Sequence, residues 1–179
     1  AKGWYIVCNP GDSKGESTAW FTSYWQFCSR YLKEKYGNKY VVSAEQSISL
    51  HAGNFTVPNQ MIIRAEDGSN MVINLLFDTS LYLMKSTLPT VAEVEEINEI
   101  RCLTLPSALI HCTSTMYKSN AVDMRTALAQ VRNPSELIRL LLDGSHSVIA
   151  GRLAGAFRNI GQDRIANEII KTMKAADFA

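Results

Sequence analysis

The sequence has almost no surplus charge. Eighteen basic side chains face 17 acidic ones, for a formal net charge of +1. No global field therefore draws the chain to nucleic acid or to a membrane, and any basic surface must be local. Long apolar runs are missing too: nothing approaches the ~18 residues a membrane-spanning helix needs, and no secretory leader is visible. The four cysteines, Cys8, Cys28, Cys102 and Cys112, form no C-x-x-C pair, and no histidine stands at zinc-finger spacing from them. They read as buried thiols of a reducing compartment. The expectation is a cytoplasmic chain with no membrane partner and no cofactor.

Catalytic patterns are equally scarce. The three histidines, His51, His111 and His146, sit in neither H-E-x-x-H nor H-x-E, and no G-x-S-x-G elbow is present. His111 and Cys112 are adjacent on a helix and point apart, so they make no dyad. Each histidine reads as structural. Glu93, Glu95, Glu96 and Glu99 look like a solvated acidic face. The nearest approach to a nuclease D/E-x-K is Glu99-Ile100-Arg101, which lacks the lysine.

What is present is an ordinary globular composition, 46% hydrophobic and 20% charged, in a chain long enough for one domain or two small ones. "AKGWYIVC" reads as a strand needing a partner, followed by the turn "NPGDSKG". From Ser17 or Thr18 to a stop at Gly37 runs a helix with Phe21, Trp25, Cys28 and Leu32 on its apolar face. Beside that face lies an aromatic stripe of Trp20, Tyr24, Phe27 and Tyr31, read as core packing. A helix capped by Ser43 ends at Gly53 or Asn54. "NQMIIRA" and "MVINLLF" read as a hairpin closed by the Asp-Gly turn of "EDGSN", and "LYLMK" as a short edge strand. Glu99 precedes a strand in which Ile100 and Cys102 share a side.

From Pro106 onward the pattern is helical. "NAVDMRTALAQV" places Val122, Leu128 and Val131 on one repeat, and "NPSELIRLLLDG" forms a further helix. The fold class is thus α/β (α+β): a small, mostly antiparallel sheet with flanking helices in residues 1–105, then a helical part over 106–179, the two closely docked.

The last helices pose the functional question. Gly144, Gly151, Gly155 and Gly161 match neither G-x-x-x-x-G-K-[ST] nor G-x-G-x-x-G, and no strand precedes them. Ile149, Leu153, Phe157 and Ile160 recur at helical spacing as a buried face. Gly151 and Gly155 lie one turn apart beside it and read as a small-x-x-x-small contact with a neighbouring helix. Gly161 ends this helix, and Asp163 starts another in which Ile165, Ile169 and Met173 form an apolar row. Arg152, Arg158, Arg164, Lys171 and Lys174 read first as solvated surface. Near a helix–turn–helix junction they also have the reach for adjacent phosphates.

The order of segments carries a resemblance. "KGWYIV", "SAEQSISLHAG", "VPNQMIIRA" and "EIRCLTLPSALIHCT" before a terminal helical run look like the AbiEi-type antitoxin and regulator family. There, Lys2–Tyr5 would be the last strand of a winged helix whose body lies upstream. "GWYIVCNPGDSKGESTAWFTSYWQFCSRYL" and "HSVIAGRLAGAFRNIGQDRIANEIIKTMKAADF" resemble the region preceding the Fic domain in long bacterial Fic-family (cell filamentation) proteins. The likeness covers nearly the whole chain. The Fic motif H-x-F-x-D/E-G-N-G-R and the inhibitory [S/T]-x-x-x-E-[G/N] signature are both absent, so the resemblance implies no nucleotide transfer by this chain.

It implies instead a non-catalytic regulatory or scaffolding segment of a bacterial toxin–antitoxin type of system. Its partners would be a downstream Fic domain of the same polypeptide, which could be an adenylyltransferase, and double-stranded DNA touched through Arg152, Arg158, Arg164, Lys171 and Lys174. Two alternatives stay open: a protein-interaction module that forms a homodimer, and a degenerate nuclease-like enzyme using Glu99.

Overall fold

The computed structural model describes residues 17–177, and the strand expected at its start, with Cys8, lies outside them. The fold is mixed α/β: eight helices and two small, mostly antiparallel sheets among the described residues, with a helical C-terminal part. The backbone groups into two compact units. One takes residues up to Gln46 together with Phe55–Cys102; the other takes Ser47–Asn54 and everything from Leu103 onward.

In the first unit, α1 (Thr18–Tyr36) starts at Ser17 and stops at Gly37, whose φ of 57° admits glycine most readily and whose N–H closes on the Lys33 carbonyl. The two stripes read from its sequence merge into one. Trp20, Tyr24, Cys28, Leu32 and Tyr36, each four residues on, form the buried row. Phe21 is 40% exposed, so it does not belong to the apolar face as expected. Phe27 and Tyr31 are half-buried and stack with ring centroids 5.7 Å apart. Trp20 donates its indole N–H to Thr79 Oγ1 at 3.1 Å, which satisfies the one polar group of a buried ring.

The main sheet joins β1 (Tyr40–Val42), β2 (Gln60–Ala65), β3 (Met71–Asn74) and β4 (Ser80–Lys85) in the order β1-β2-β4-β3. Two sequence expectations fail here. β2 and β3 are not a hairpin, because β4 lies between them, parallel to β2 and antiparallel to β3. "LYLMK" is consequently an interior strand, and β3 is the edge. The strands themselves alternate as a half-buried sheet should. Met61, Ile63 and Ala65 of β2 and Leu81 and Leu83 of β4 are buried, while their neighbours are not.

The crossover from β2 to β3 must then pass over β4, and Gly68 makes that passage possible. A Cβ there would lie 2.5 Å from the backbone of Met84 and Lys85. A hairpin would need no such approach, so the glycine belongs to the crossover rather than to a tight turn. A second pair, β5 (Val94–Ile97) and β6 (Ile100–Leu103), is joined by Asn98 and Glu99 alone. Both have positive φ, 48° and 62°, as a two-residue hairpin requires. Ile100 and Cys102 are fully buried on the shared side that the alternation anticipated; β5 was not anticipated.

The second unit is helical: the end of α2 (Ala44–His51), then α3 (Leu105–His111), α4 (Met116–Ser119), α5 (Ala121–Gln130), α6 (Ser135–Asp143), α7 (Ser147–Asn159) and α8 (Asp163–Ala175). Ser43 caps α2 by accepting the Gln46 N–H at 3.2 Å. α6 packs on α3, α7 and α8, and α7 packs on α8. On α5 the buried side is Asp123, Met124, Ala127 and Leu128. Val122, expected there, is 76% exposed, because it lies about 100° round the helix from Asp123 and 200° from Met124.

Three helices end the same way. After α2, α6 and α7, a residue with positive φ (Gly53, Ser145 and Gly161) is followed by an N–H that reaches back five residues. Asn54 donates to Ser49 O, His146 to Leu141 O and Gln162 to Phe157 O, at 2.8–2.9 Å. This is the Schellman stop. Gly161 was expected in this role. Gly144 was expected to stop α6, but the left-handed position falls one residue later, on Ser145.

Helix-on-helix packing at the C-terminus is present, but the glycines do not make it. Ala150, Leu153, Ala154 and Phe157 form the buried side of α7. Gly151 and Gly155 are exposed, and a Cβ on either would meet nothing within 4 Å. The small residues at the buried face are the two alanines, one position earlier in each case. Ile149 and Ile160, expected to be buried, are only half so.

Candidate nucleic-acid interface

Helix α8 buries Ile165, Ala166, Ile169 and Met173. That choice of face fixes what points away from it. Arg164, Asn167, Lys171 and Lys174 follow one another at steps of three, four and three, and all four are exposed. Such spacing is one row along a helix, about 15 Å from first to last at 1.5 Å per residue.

Helix α7 adds one more cation to this row. The Gly161 stop turns the chain so that Arg158, on the last turn of α7, donates from Nη2 to Asn167 Oδ1 at 3.1 Å. Arg164 is held from two sides: Nη1 donates to Glu168 Oε2 at 3.1 Å, and Nη2 donates to the Arg132 carbonyl at 3.0 Å. Lys171 and Lys174 have no ion pair with a described residue. Four of the five expected cations therefore share one surface, with Glu168 as the acid among them. Such a surface attracts anions chiefly at low salt, because exposed charges are screened within about 10 Å at 0.1 M.

Arg152 stands apart from this row. It lies six residues before Arg158, about 120° away around the helix, and is half-buried. Its charge acts on Tyr117, whose hydroxyl burial pushes upward and Arg152 partly restrains.

The three described thiols are all buried. Burial pushes the thiols of Cys28 and Cys102 up to about 12, far from the thiolate a nucleophile requires. Cys112 is buried as well, with its thiol turned to the Leu109 carbonyl at 3.5 Å. One ring nitrogen of His51 lies 2.8 Å from the Leu103 carbonyl. His111 and His146 meet edge to face, with ring centroids 6.3 Å apart. Glu99 sits in the β5–β6 turn and accepts from Ser29 Oγ at 3.1 Å. Arg101, two residues on, donates to the Tyr40 carbonyl at 3.3 Å and lies 3.6 Å from Glu96. Among the described residues no three histidine, cysteine or acidic side chains are grouped to hold a metal ion, and no helix is long and apolar enough to cross a membrane.

Two features escaped the sequence reading. Asn167 organises the cationic row, and its i, i+3, i+7, i+10 register with Arg164, Lys171 and Lys174 was the available signal. Asp123 is the other: it is buried, and its carboxylate accepts Ser49 Oγ at 2.7 Å and Asn54 Nδ2 at 2.9 Å. It ties the end of α2 to α5. A lone aspartate on a helix gives no sign of partners some 70 residues earlier.

No family model, no curated protein and no solved structure matches the chain.

Proposed function

We propose that the chain is a non-catalytic regulatory and scaffolding segment of a Fic-family protein with AbiEi-like layout, and that its helical unit contacts the phosphates of double-stranded DNA. The observation that carries the DNA contact is the convergence of Arg158, Arg164, Lys171 and Lys174 about Asn167, on the side of α8 opposite its buried face. A cationic row spaced along one helix suits a regular array of phosphates, and phosphate contacts position a protein without reading sequence. The regulatory role is supported by the motif resemblance and by the inert placement of the thiols. A downstream Fic domain would supply the nucleotide chemistry.

Fluorescence anisotropy of a labelled duplex of about 20 base pairs tests the contact. With four phosphates neutralised, log affinity should fall against log salt with a slope of about −3.6, a loss of about 150-fold between 50 and 200 mM. Absence of binding at 50 mM ends the reading.

A further inference from the structure

The two parallel strands of the main sheet, β2 and β4, end side by side, with Ala65 opposite Lys85. Just past that end lies a cavity of about 420 Å³, open to solvent and lined by Glu66, Lys85, Ser86, Thr87 and Leu88. Open α/β sheets take their ligands outside the carboxyl ends of parallel strands. The volume also falls within the ~300–1,000 Å³ of small-molecule sites.

The lining is held from the neighbouring chain. Ser86 donates its N–H to Ala65 O at 3.0 Å, and Lys85 donates its own to Asn70 Oδ1 at 2.8 Å. Arg64 donates from Nε to Ser86 Oγ at 3.2 Å and from Nη2 to Thr87 O at 2.9 Å. Gly68 lets the crossover lie directly against Met84 and Lys85. A lining fixed in this way costs a ligand little ordering.

Charge then selects the ligand. Glu66, the acid of the lining, has Oε2 4.0 Å from Lys39 Nζ, so its charge is already offset. Lys85 has no ion pair with a described residue, and Arg64 spends its bonds on uncharged oxygens. Two cations therefore stand uncompensated here, one lining the cavity and one bonded to Ser86 and Thr87. The N–H groups of Thr87 and Leu88 add donors that have no backbone partner among the described residues. We propose that this cavity binds a small organic anion. Its phosphate or carboxylate sits on Lys85 and Thr87, and its apolar body lies against Leu88. The site belongs to the first unit and is independent of the cationic row on α7 and α8.

Two-dimensional NMR of the full chain, titrated with phenyl phosphate and separately with benzoate, reads the site. At least one of them should shift the backbone amides of Glu66, Lys85, Thr87 and Leu88 with a dissociation constant at or below about 1 mM. The tighter of the two names the head group. Benzylamine, which carries the same ring on a cation, should leave those amides where they are. Lys85 and Thr87 are exposed, so their variants keep the fold. Lys85→Gln should weaken anion binding by at least about tenfold, and Thr87→Val by about threefold. Lys171→Gln on α8 should leave it unchanged. The proposal is overturned if neither anion moves these amides below about 10 mM, or if the shifts are confined to α7 and α8. Benzylamine acting as strongly as the anions overturns it too, as does a Lys85→Gln chain that binds them like the unchanged one.

Discussion

Glycine does opposite work in the two units. In the sheet unit, Gly68 lies where the chain crosses β4 so closely that a single methyl group would strike backbone. In the helical unit, Gly151 and Gly155 lie on the exposed side of α7, where a methyl group would meet nothing. From sequence the values were reversed: the helical pair promised close packing, and Gly68 was one residue of a hairpin turn. A glycine's role is set by what approaches it in space, and spacing along the chain carries that only when the approaching element is local.

The comparison can be broken at its largest effect first. Gly68→Ala should destabilise the protein by about 3 kcal/mol, because the clash is with backbone that cannot move without disturbing the β2–β4 ladder. Urea unfolding measures it, and a change under about 0.5 kcal/mol would mean that the crossover does not run as described. Asp123→Ala should cost nearly as much, about 2–3 kcal/mol, by removing the acceptor for Ser49 and Asn54 from a buried site. An unchanged urea midpoint would remove the tie between α2 and α5.

Gly151→Ala and Gly155→Ala should act in the other direction. Each ought to stabilise by about 0.8–1 kcal/mol, the helix-interior difference between the two residues. Loss of stability in either would restore the close-packing role that the structure gives to Ala150 and Ala154.

A further effect is absent at neutral pH and appears only in alkali. Cys28 and Cys102 have thiols raised to about 12 by burial against an ordinary value of 9.0. Between those values the unfolded chain has released protons that the folded chain still holds, so stability is complete below about pH 9 and is lost as pH climbs towards 12. Tyr24, Tyr40 and Tyr117 are raised by burial too and push the same way. Thermal melts across that range read the slope, and mass-mapped alkylation at pH 8 should leave Cys28 and Cys102 unmodified in the folded protein. Rapid native alkylation of either would contradict their burial.

Helices were legible because their signals are local. The Ser43 cap, the stops at Gly37, Gly53 and Gly161, and the apolar row of Ile165, Ile169 and Met173 all appear within one or two turns. The sheet was less so. β2, β3 and β4 were each visible as strands, yet their order was not, because pairing depends on which segments meet across a crossover. The Asp-Gly of "EDGSN" mimicked a hairpin turn that the chain does not make. Of the candidate site, the five cations stood out by their clustering around a helix–turn–helix junction. Which four belong together required knowing which face of α8 is buried and that Arg158 reaches Asn167.

That division of the five cations is the most direct point of test. The salt dependence of duplex binding should be measured for Arg164→Ala and Arg152→Ala beside the unchanged chain. Arg164→Ala should flatten the log–log slope by about one, while Arg152→Ala, facing Tyr117, should leave it as it was. Equal slopes in all three, or a loss confined to Arg152→Ala, would contradict the row on α7 and α8 as the phosphate-contacting surface.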